Sequence, residues 1–277
     1  MNRTLNAMYF SATGTTKKVV SGIAETIAKQ TSKTVGGEIG INTLDFTLPG
    51  ARINPVSFAE DDIVIIGVPV YAGRVPNVLL KYLNSITGKG ALAVPVVVYG
   101  NRNYDDALIE LKDILESNGF KVIAGGAFIG EHSFSTILAK NRPDQQDLAI
   151  VADFANQICT KLLTQPEFQP VAVKGTAKPY RKHYMPKNND GSPVDIRKVS
   201  PKTNSNCIDC KLCVTVCPMG SIDAEDVSKL TGICIKCGAC IKKCPTQAKY
   251  YDDQDYLRHK QELEIECTLR REPELFL

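Results

Sequence analysis

Eight of the ten cysteines in this chain of 277 residues lie between Cys207 and Cys244, in two runs of identical spacing. Each run reads C-x2-C-x2-C-x3-C-P: Cys207, Cys210, Cys213, Cys217 and Pro218, then Cys234, Cys237, Cys240, Cys244 and Pro245. Two-residue gaps let successive sulfurs of one tight loop converge on a common core, and the thiolate is the form that binds metal. No export signal is evident at the N-terminus: Met1–Thr4 is polar, a short apolar run follows, and there is no cleavage-site pattern. Clustered thiols without such a signal point to metal ligation in a reducing, cytoplasmic compartment rather than to disulfides. Zinc sites usually take one or two C-x2-C pairs without the third cysteine and the Cys-Pro ending, so zinc is the weaker reading. The two isolated cysteines differ: Cys159 falls on the apolar side of a helical pattern and reads as core packing, whereas Cys267 has no assigned role.

The stretch, with its internal repeat, Gly238 between cysteines, and Ala239 and Ile241 beside sulfurs, resembles the bacterial two-cluster ferredoxins. The resemblance implies two 4Fe–4S clusters, with the last cysteine of each run ligating the other cluster. Cluster one would take Cys207, Cys210, Cys213 and Cys244; cluster two would take Cys234, Cys237, Cys240 and Cys217. Such a crossing staples together two half-domains whose own apolar core is small. Lys211 stands in the first run where the second has Gly238, and reads as a solvated lysine.

Upstream, strand-like and helix-like patterns alternate. Leu5–Phe10, Ile63–Pro69, Ala91–Tyr99 and Phe120–Ile129 are apolar runs of strand length, and Ile39, Ile41 and Leu44 in Gly36–Phe46 alternate as a short strand does. Helical stripes cover Thr15–Gln30, a segment opening at Pro76 and running to Leu83, Tyr104–Ser117 with Gly119 as its cap, and Gln145–Leu163. This βα alternation predicts an α/β fold, a doubly wound five-stranded parallel sheet. Residues 1–164 would form that domain and 165–200 a Pro-rich basic linker, better read as a strap with Val171, Tyr180 and Tyr184 as anchors. Residues 201–252 would form a small α+β cluster domain and 253–277 a tail, with one helix returning to the first domain. The longest apolar stretch, Ile63–Ala72, contains Pro69 and is too short for a bilayer. A net charge of +3 gives no reason to expect nucleic acid or a membrane as partner.

Between the first strand and its helix lies Phe10-Ser11-Ala12-Thr13-Gly14-Thr15-Thr16. Hydroxyls and backbone N–H groups at a helix N-terminus suit a phosphate, and the loop lacks both the P-loop and the Gly-x-Gly-x-x-Gly patterns. The run resembles the flavodoxin phosphate loop, [Ser/Thr]-x-Thr-Gly-x-Thr, matched at Ser11, Thr13, Gly14 and Thr16, with Thr15 inside it. That resemblance implies FMN, held also by two loops at strand ends: Pro69, Tyr71, Ala72 and Gly73, and Gly100, Asn101, Arg102, Asn103, Tyr104 and Asp105. Tyr71 or Tyr104 would contact the ring, the glycines would admit close backbone approach, and Asn101 and Asn103 would bond its polar edge. Arg74 and Arg102 make this region more basic than is common in flavodoxins. His132 follows the last strand at the same edge, while His183 and His259 have no constellation around them.

A flavodoxin-like domain followed by a two-cluster ferredoxin domain resembles the fused proteins known as EFR-type ferredoxins. The resemblance implies electron transfer: clusters pass single electrons, FMN holds one or two, and tethering raises the effective concentration of each for the other. The chain is thus expected to carry electrons to and from redox partner proteins. The alternative is an FMN-dependent reductase of a small organic acceptor such as a quinone, with Arg74, Tyr104 and His132 lining the pocket. An open cavity over the ring would favour the reductase; a ring capped by the cluster domain would count against it. A third reading is a flavin-free scaffold that only docks partners. Oxygen-labile clusters suggest an anaerobic setting.

Overall fold

The computed structural model describes residues 4–35, 39–188 and 190–277. Met1–Arg3, part of the leader reading, and Gly36–Glu38, the start of the weak strand pattern, lie outside the described residues. The elements run β1 (Thr4–Tyr9), α1 (Thr15–Val35), β2 (Ile41–Asp45), β3 (Asp62–Pro69), α2 (Asn77–Leu83), β4 (Leu92–Tyr99), α3 (Ala107–Ser117), β5 (Lys121–Val122), β6 (Gly125–Ile129) and α4 (Gln145–Thr164). Then follow β7 (Lys202–Thr203), α5 (Leu212–Thr215), α6 (Ala239–Lys242), β8 (Lys249–Tyr250), α7 (Gln254–Glu266) and β9 (Glu274–Phe276).

The main sheet has the order β2-β1-β3-β4-β6, all parallel, which is the doubly wound order of flavodoxins. Strand periodicity sorts the core into two layers. Leu5, Ala7 and Tyr9 face Val19, Ile23 and Ile27 of α1 and Phe154 and Ile158 of α4. Met8 and Phe10 face the other way, toward Leu79 and Leu83 of α2 and Leu108, Leu111 and Leu115 of α3. Each such fully buried leucine is worth about 1.5–3 kcal/mol relative to exposure. An Asp144–Asp147 capping box starts α4, each carboxylate accepting the other's backbone N–H.

Three features depart from the sequence expectations. The run Phe120–Ile129 is not one strand: its register against β4 slips by one residue between Ala93↔Val122 and Val96↔Gly126, a bulge that splits it into β5 and β6. The helix expected from Tyr104 begins at Ala107, because Tyr104–Asp106 form the turn that enters it. Finally, the tail returns as more than a helix: beyond α7, β9 pairs antiparallel with β6 and covers that sheet edge.

Residues 168–184 are laid along the first domain, with Val171 buried, and Val194 and Val199 further on are buried too. Buried Asp106 accepts N–H bonds from Thr176 (2.9 Å) and Arg181 (2.7 Å), and Tyr180 donates to Asp113 (2.6 Å). The cluster domain is small: β7 and β8 pair antiparallel, α5 and α6 are single turns, and its core is little more than Ile222, Val227 and Cys240. None of the helices among the described residues is long and apolar enough to cross a membrane.

Candidate functional site

The repeat in the cysteine sequence becomes a repeat in backbone. Lys211 and Gly238, each directly after the second cysteine of its run, both take left-handed φ (58° and 74°) and cap the turns α5 and α6. At the end of each run a backbone N–H donates to the last sulfur: Ser221 to Cys217 at 3.4 Å and Ala248 to Cys244 at 3.3 Å. The sulfurs surround two small cavities. Cys217, Cys234, Cys237 and Cys240 line one, and Cys207, Cys210, Cys213 and Cys244 line the other. Among the described residues no three such side chains close on a single point, as one zinc ion with sulfurs at about 2.3 Å demands.

The donor chemistry fits multi-iron clusters. Burial pushes the Cys237 and Cys240 thiols up to about 12, so ligation must displace their protons as metal enters. Lys249 is 4% exposed, and its ammonium donates to two neutral oxygens, Thr203 Oγ1 (2.8 Å) and the Val227 carbonyl. A buried cation calls for a counter-charge. Lys249 lies within electrostatic reach of Cys213, from one cysteine set, and Cys240, from the other.

A cavity of about 610 Å³ opens at the carboxyl ends of β3 and β4. Val70, Tyr71, Ala72 and Gly73 wall it on one side, and Gly100, Arg102 and Asn103 on the next. Opposite stand Ile233, Cys234, Ile235 and Lys236 of the cluster domain. Tyr71 joins the two halves: burial raises its hydroxyl well above the usual range, helped by Cys237 and Cys234 nearby. Pockets of 300–1,000 Å³ with apolar walls and a few polar groups commonly hold one drug-sized ligand, the size class of FMN. His259, 3% exposed in the wall, has a buried Nδ1 without a hydrogen bond, a capacity for which a polar ring edge is a fitting partner.

Other residues expected at a ring site are placed differently. Tyr104 does not line this cavity; it packs against Tyr99 (5.5 Å) and donates to Glu274 of β9 (2.9 Å). The Asn101 side chain holds the tail instead, donating to the carbonyls of Cys267 (2.7 Å) and Leu269 (2.9 Å). Asp105 is bound to Arg102, and Arg74 pairs with Glu110 outside the cavity. The glycines admit protein rather than leaving open space: a Cβ on Gly73 would lie 2.2 Å from Asp105 Oδ2, and one on Gly100 would lie 2.3 Å from the His132 ring. Pro69 ends β3, and Ala72, Asn101 and Asp105 hold positive φ (52°, 67° and 43°), local strain of the kind that gathers at functional loops.

The hydroxyl loop is a separate wall of the same sheet edge. Ser11 Oγ accepts the Lys17 N–H (2.9 Å), its own N–H donates to Thr47 Oγ1 (2.8 Å), and Gly14 turns at φ 97°. Thr16 is buried, Thr13 and Thr15 are half-buried, and none of Ser11–Thr16 lines the large cavity. Sequence reasoning singled out His132 there, and it does line the cavity. It missed His183, Tyr184 and His259, which also do. Tyr184 is marked locally only as an anchor of the strap, and the two histidines carry no local signal for this cavity. Burial and then Lys242 push the His132 imidazole down to about 3. Its Nδ1 accepts the Phe134 N–H (3.1 Å), leaving the proton of the neutral ring on Nε2.

The cluster domain is held against this edge by Lys242, whose ammonium donates to Glu131 and to the carbonyls of His132 (2.7 Å) and Ser135 (3.0 Å). Gly238 meets the same loop: a Cβ there would lie 2.6 Å from the Ser133 carbonyl oxygen.

Comparison with protein families matches residues 206–248 to the 4Fe–4S dicluster domain. Comparison with curated proteins returns no match. Among solved structures, an oxidised flavodoxin 1 from Bacillus cereus is 17% identical, with 57% of this chain and 97% of that one covered and a TM-score of 0.39. A Fusobacterium nucleatum flavodoxin bound to flavin mononucleotide is 19% identical, with 57% and 98% covered and a TM-score of 0.39. The chain thus joins an α/β domain with the doubly wound strand order β2-β1-β3-β4-β6 to a segment that matches the 4Fe–4S dicluster domain.

Proposed function

We propose that the chain passes electrons between two 4Fe–4S clusters and FMN, and onward to redox partner proteins. The observation that carries this is the shared wall: Cys234 and its neighbours line the same cavity as the β3 and β4 loops. FMN would take electrons one at a time from the clusters and hold two. Cys217, Cys234, Cys237 and Cys240 would bind the cluster beside the flavin. Cys207, Cys210, Cys213 and Cys244 would bind the outer one, where Cys210 is exposed beside the exposed Ile208, a surface for a protein partner. Ser11–Thr16 would take the phosphate and Tyr71–Gly73 with Gly100, Arg102 and Asn103 the ring. Lys242 keeps the two halves in register, so that transfer needs no encounter between molecules.

Reduction of a small acceptor would need open approach to the ring. The strap residues Tyr184–Pro186, His259 and Leu263 of α7, and Ile233–Lys236 all wall this cavity, which favours transfer between fixed centres. The test is rapid anaerobic reduction of the loaded protein at several protein concentrations. Flavin bleaching should follow cluster bleaching at a rate independent of concentration, and Cys217→Ser should abolish that phase. A rate that rises in proportion to protein concentration would overturn the relay.

A further inference from the structure

The flavin contacts expected from sequence lie wholly within the flavodoxin-like domain, yet the cavity is finished by residues outside it. Tyr104 is turned into the core, and the aromatic that walls the cavity beyond Tyr71 and Tyr99 includes Tyr184 of the strap. Tyr184 is fixed at both ends of its reach. Its N–H donates to the Ala72 carbonyl at 2.9 Å, the Arg102 guanidinium lies 4.2 Å from its ring centroid, and the His259 ring lies stacked at 5.7 Å. This contact joins the β3 loop, the β4 loop, the strap and α7 around one space.

His259 is the second observation. All three histidines of the chain line this cavity, and His259, on α7, is the least exposed of the three. Among the described residues its Nδ1 is the buried side-chain polar atom left without a hydrogen bond of good geometry; Glu262 Oε2, 3.5 Å away, pairs with it only when the ring is protonated. Native interiors leave few such atoms, and a ligand's polar edge is one reason for them. The pyrimidine edge of a flavin alternates carbonyl oxygens with an N–H and offers a partner to an imidazole nitrogen of either kind.

We propose that the flavin pocket is a composite site completed from outside the flavodoxin-like domain. His259 of α7 hydrogen-bonds the polar edge of the ring, and Tyr184 of the strap covers it. This rests on the flavin assignment made above. A consequence is that flavin affinity belongs to the whole chain: strap and C-terminal helix must be docked before the ring is held.

The experiment uses the full-length protein with clusters reconstituted and flavin removed, titrated with FMN and with lumiflavin, which carries the ring but no phosphate. His259→Ala should weaken both ligands by about tenfold, as loss of one buried hydrogen bond predicts. His259→Asn, whose amide can occupy the place of Nδ1, should recover most of that loss. Tyr184→Ala should weaken both by about tenfold or more, while Tyr184→Phe keeps the cover and the affinity. Tyr104→Phe should leave both affinities unchanged, and Thr13→Ala should weaken FMN alone. If the wild type binds both flavins and the His259→Ala and Tyr184→Ala proteins bind them equally well, the composite site is wrong and the flavin assignment stands. If the wild type binds neither ligand, the flavin assignment itself fails and takes the composite site with it.

Discussion

Lys249 offers a quantitative test of the cluster assignment, because a buried cation acts on electron affinity through its charge alone. Its ammonium donates to Thr203 Oγ1 and the Val227 carbonyl, and its charge reaches one cysteine from each set, Cys213 and Cys240. At an effective dielectric constant of about 20, a unit charge about 8 Å from a cluster interacts with one added electron by about 2 kcal/mol. For a one-electron couple about 59 mV corresponds to a tenfold change, so this energy converts to about 90 mV. The positive charge favours the reduced cluster, and Lys249→Met should therefore lower both cluster potentials by about 50–100 mV. Lys249→Arg should keep them near the wild-type values. The assay is a potentiometric titration of each variant followed by electron paramagnetic resonance. A downward shift below about 20 mV, or an upward one, would refute the reasoning that this cation serves both clusters.

Three further outcomes follow from the same geometry. Lys242→Met removes the three bonds that hold the cluster domain to the loop after β6. Amide exchange in residues 131–138 should then accelerate by about 10- to 100-fold while β1, β3 and β4 stay protected. Arg142→Met removes the closer of two guanidinium partners from Asp147, which is 1% exposed, while Arg270 (3.4 Å) and the Asp144 N–H (2.9 Å) remain; urea unfolding should show a loss of about 1.5–3 kcal/mol. Burial first, and Lys242 second, hold the His132 imidazole down to about 3 against 6.5 in the unfolded chain. The unfolded state thus gains the proton first: stability is full above pH 6.5 and falls as pH drops toward 3, by at most about 1.4 kcal/mol per unit. His132→Gln should flatten the slope between pH 6.5 and 5 when the two proteins are unfolded side by side.

What could be read from the sequence was whatever local spacing decides. Strand periodicity at Ile63–Pro69 and Ala91–Tyr99, and the stripe from Thr15 onward, are properties of short windows, and the sheet and α1 follow from them. The cysteine spacing is likewise local, and the two sets of four expected from the ferredoxin resemblance are the two sets that surround separate cavities. What was hidden depends on distant partners. Tyr104 reads as a ring-facing aromatic until Glu274, far along the chain, takes its hydroxyl. Asn101 reads as a flavin ligand until the carbonyls after α7 occupy its amide. The exchange of lysine for glycine between the two runs shows the same limit. Both positions need positive φ, which the short loop implies, but only at Gly238 does the Ser133 carbonyl approach to 2.6 Å of a would-be Cβ. Tyr184 is marked in the sequence only as a strap anchor and His259 not at all, since the cavity they wall exists only once strap and tail have returned.

The central claim is that one chain holds a flavin and two clusters, and an anaerobic reductive titration of the fully reconstituted protein tests it most directly. The account predicts uptake of about four electrons per chain, two by FMN and one by each cluster. An uptake of about two would contradict it, because either the flavin or both clusters would then be absent.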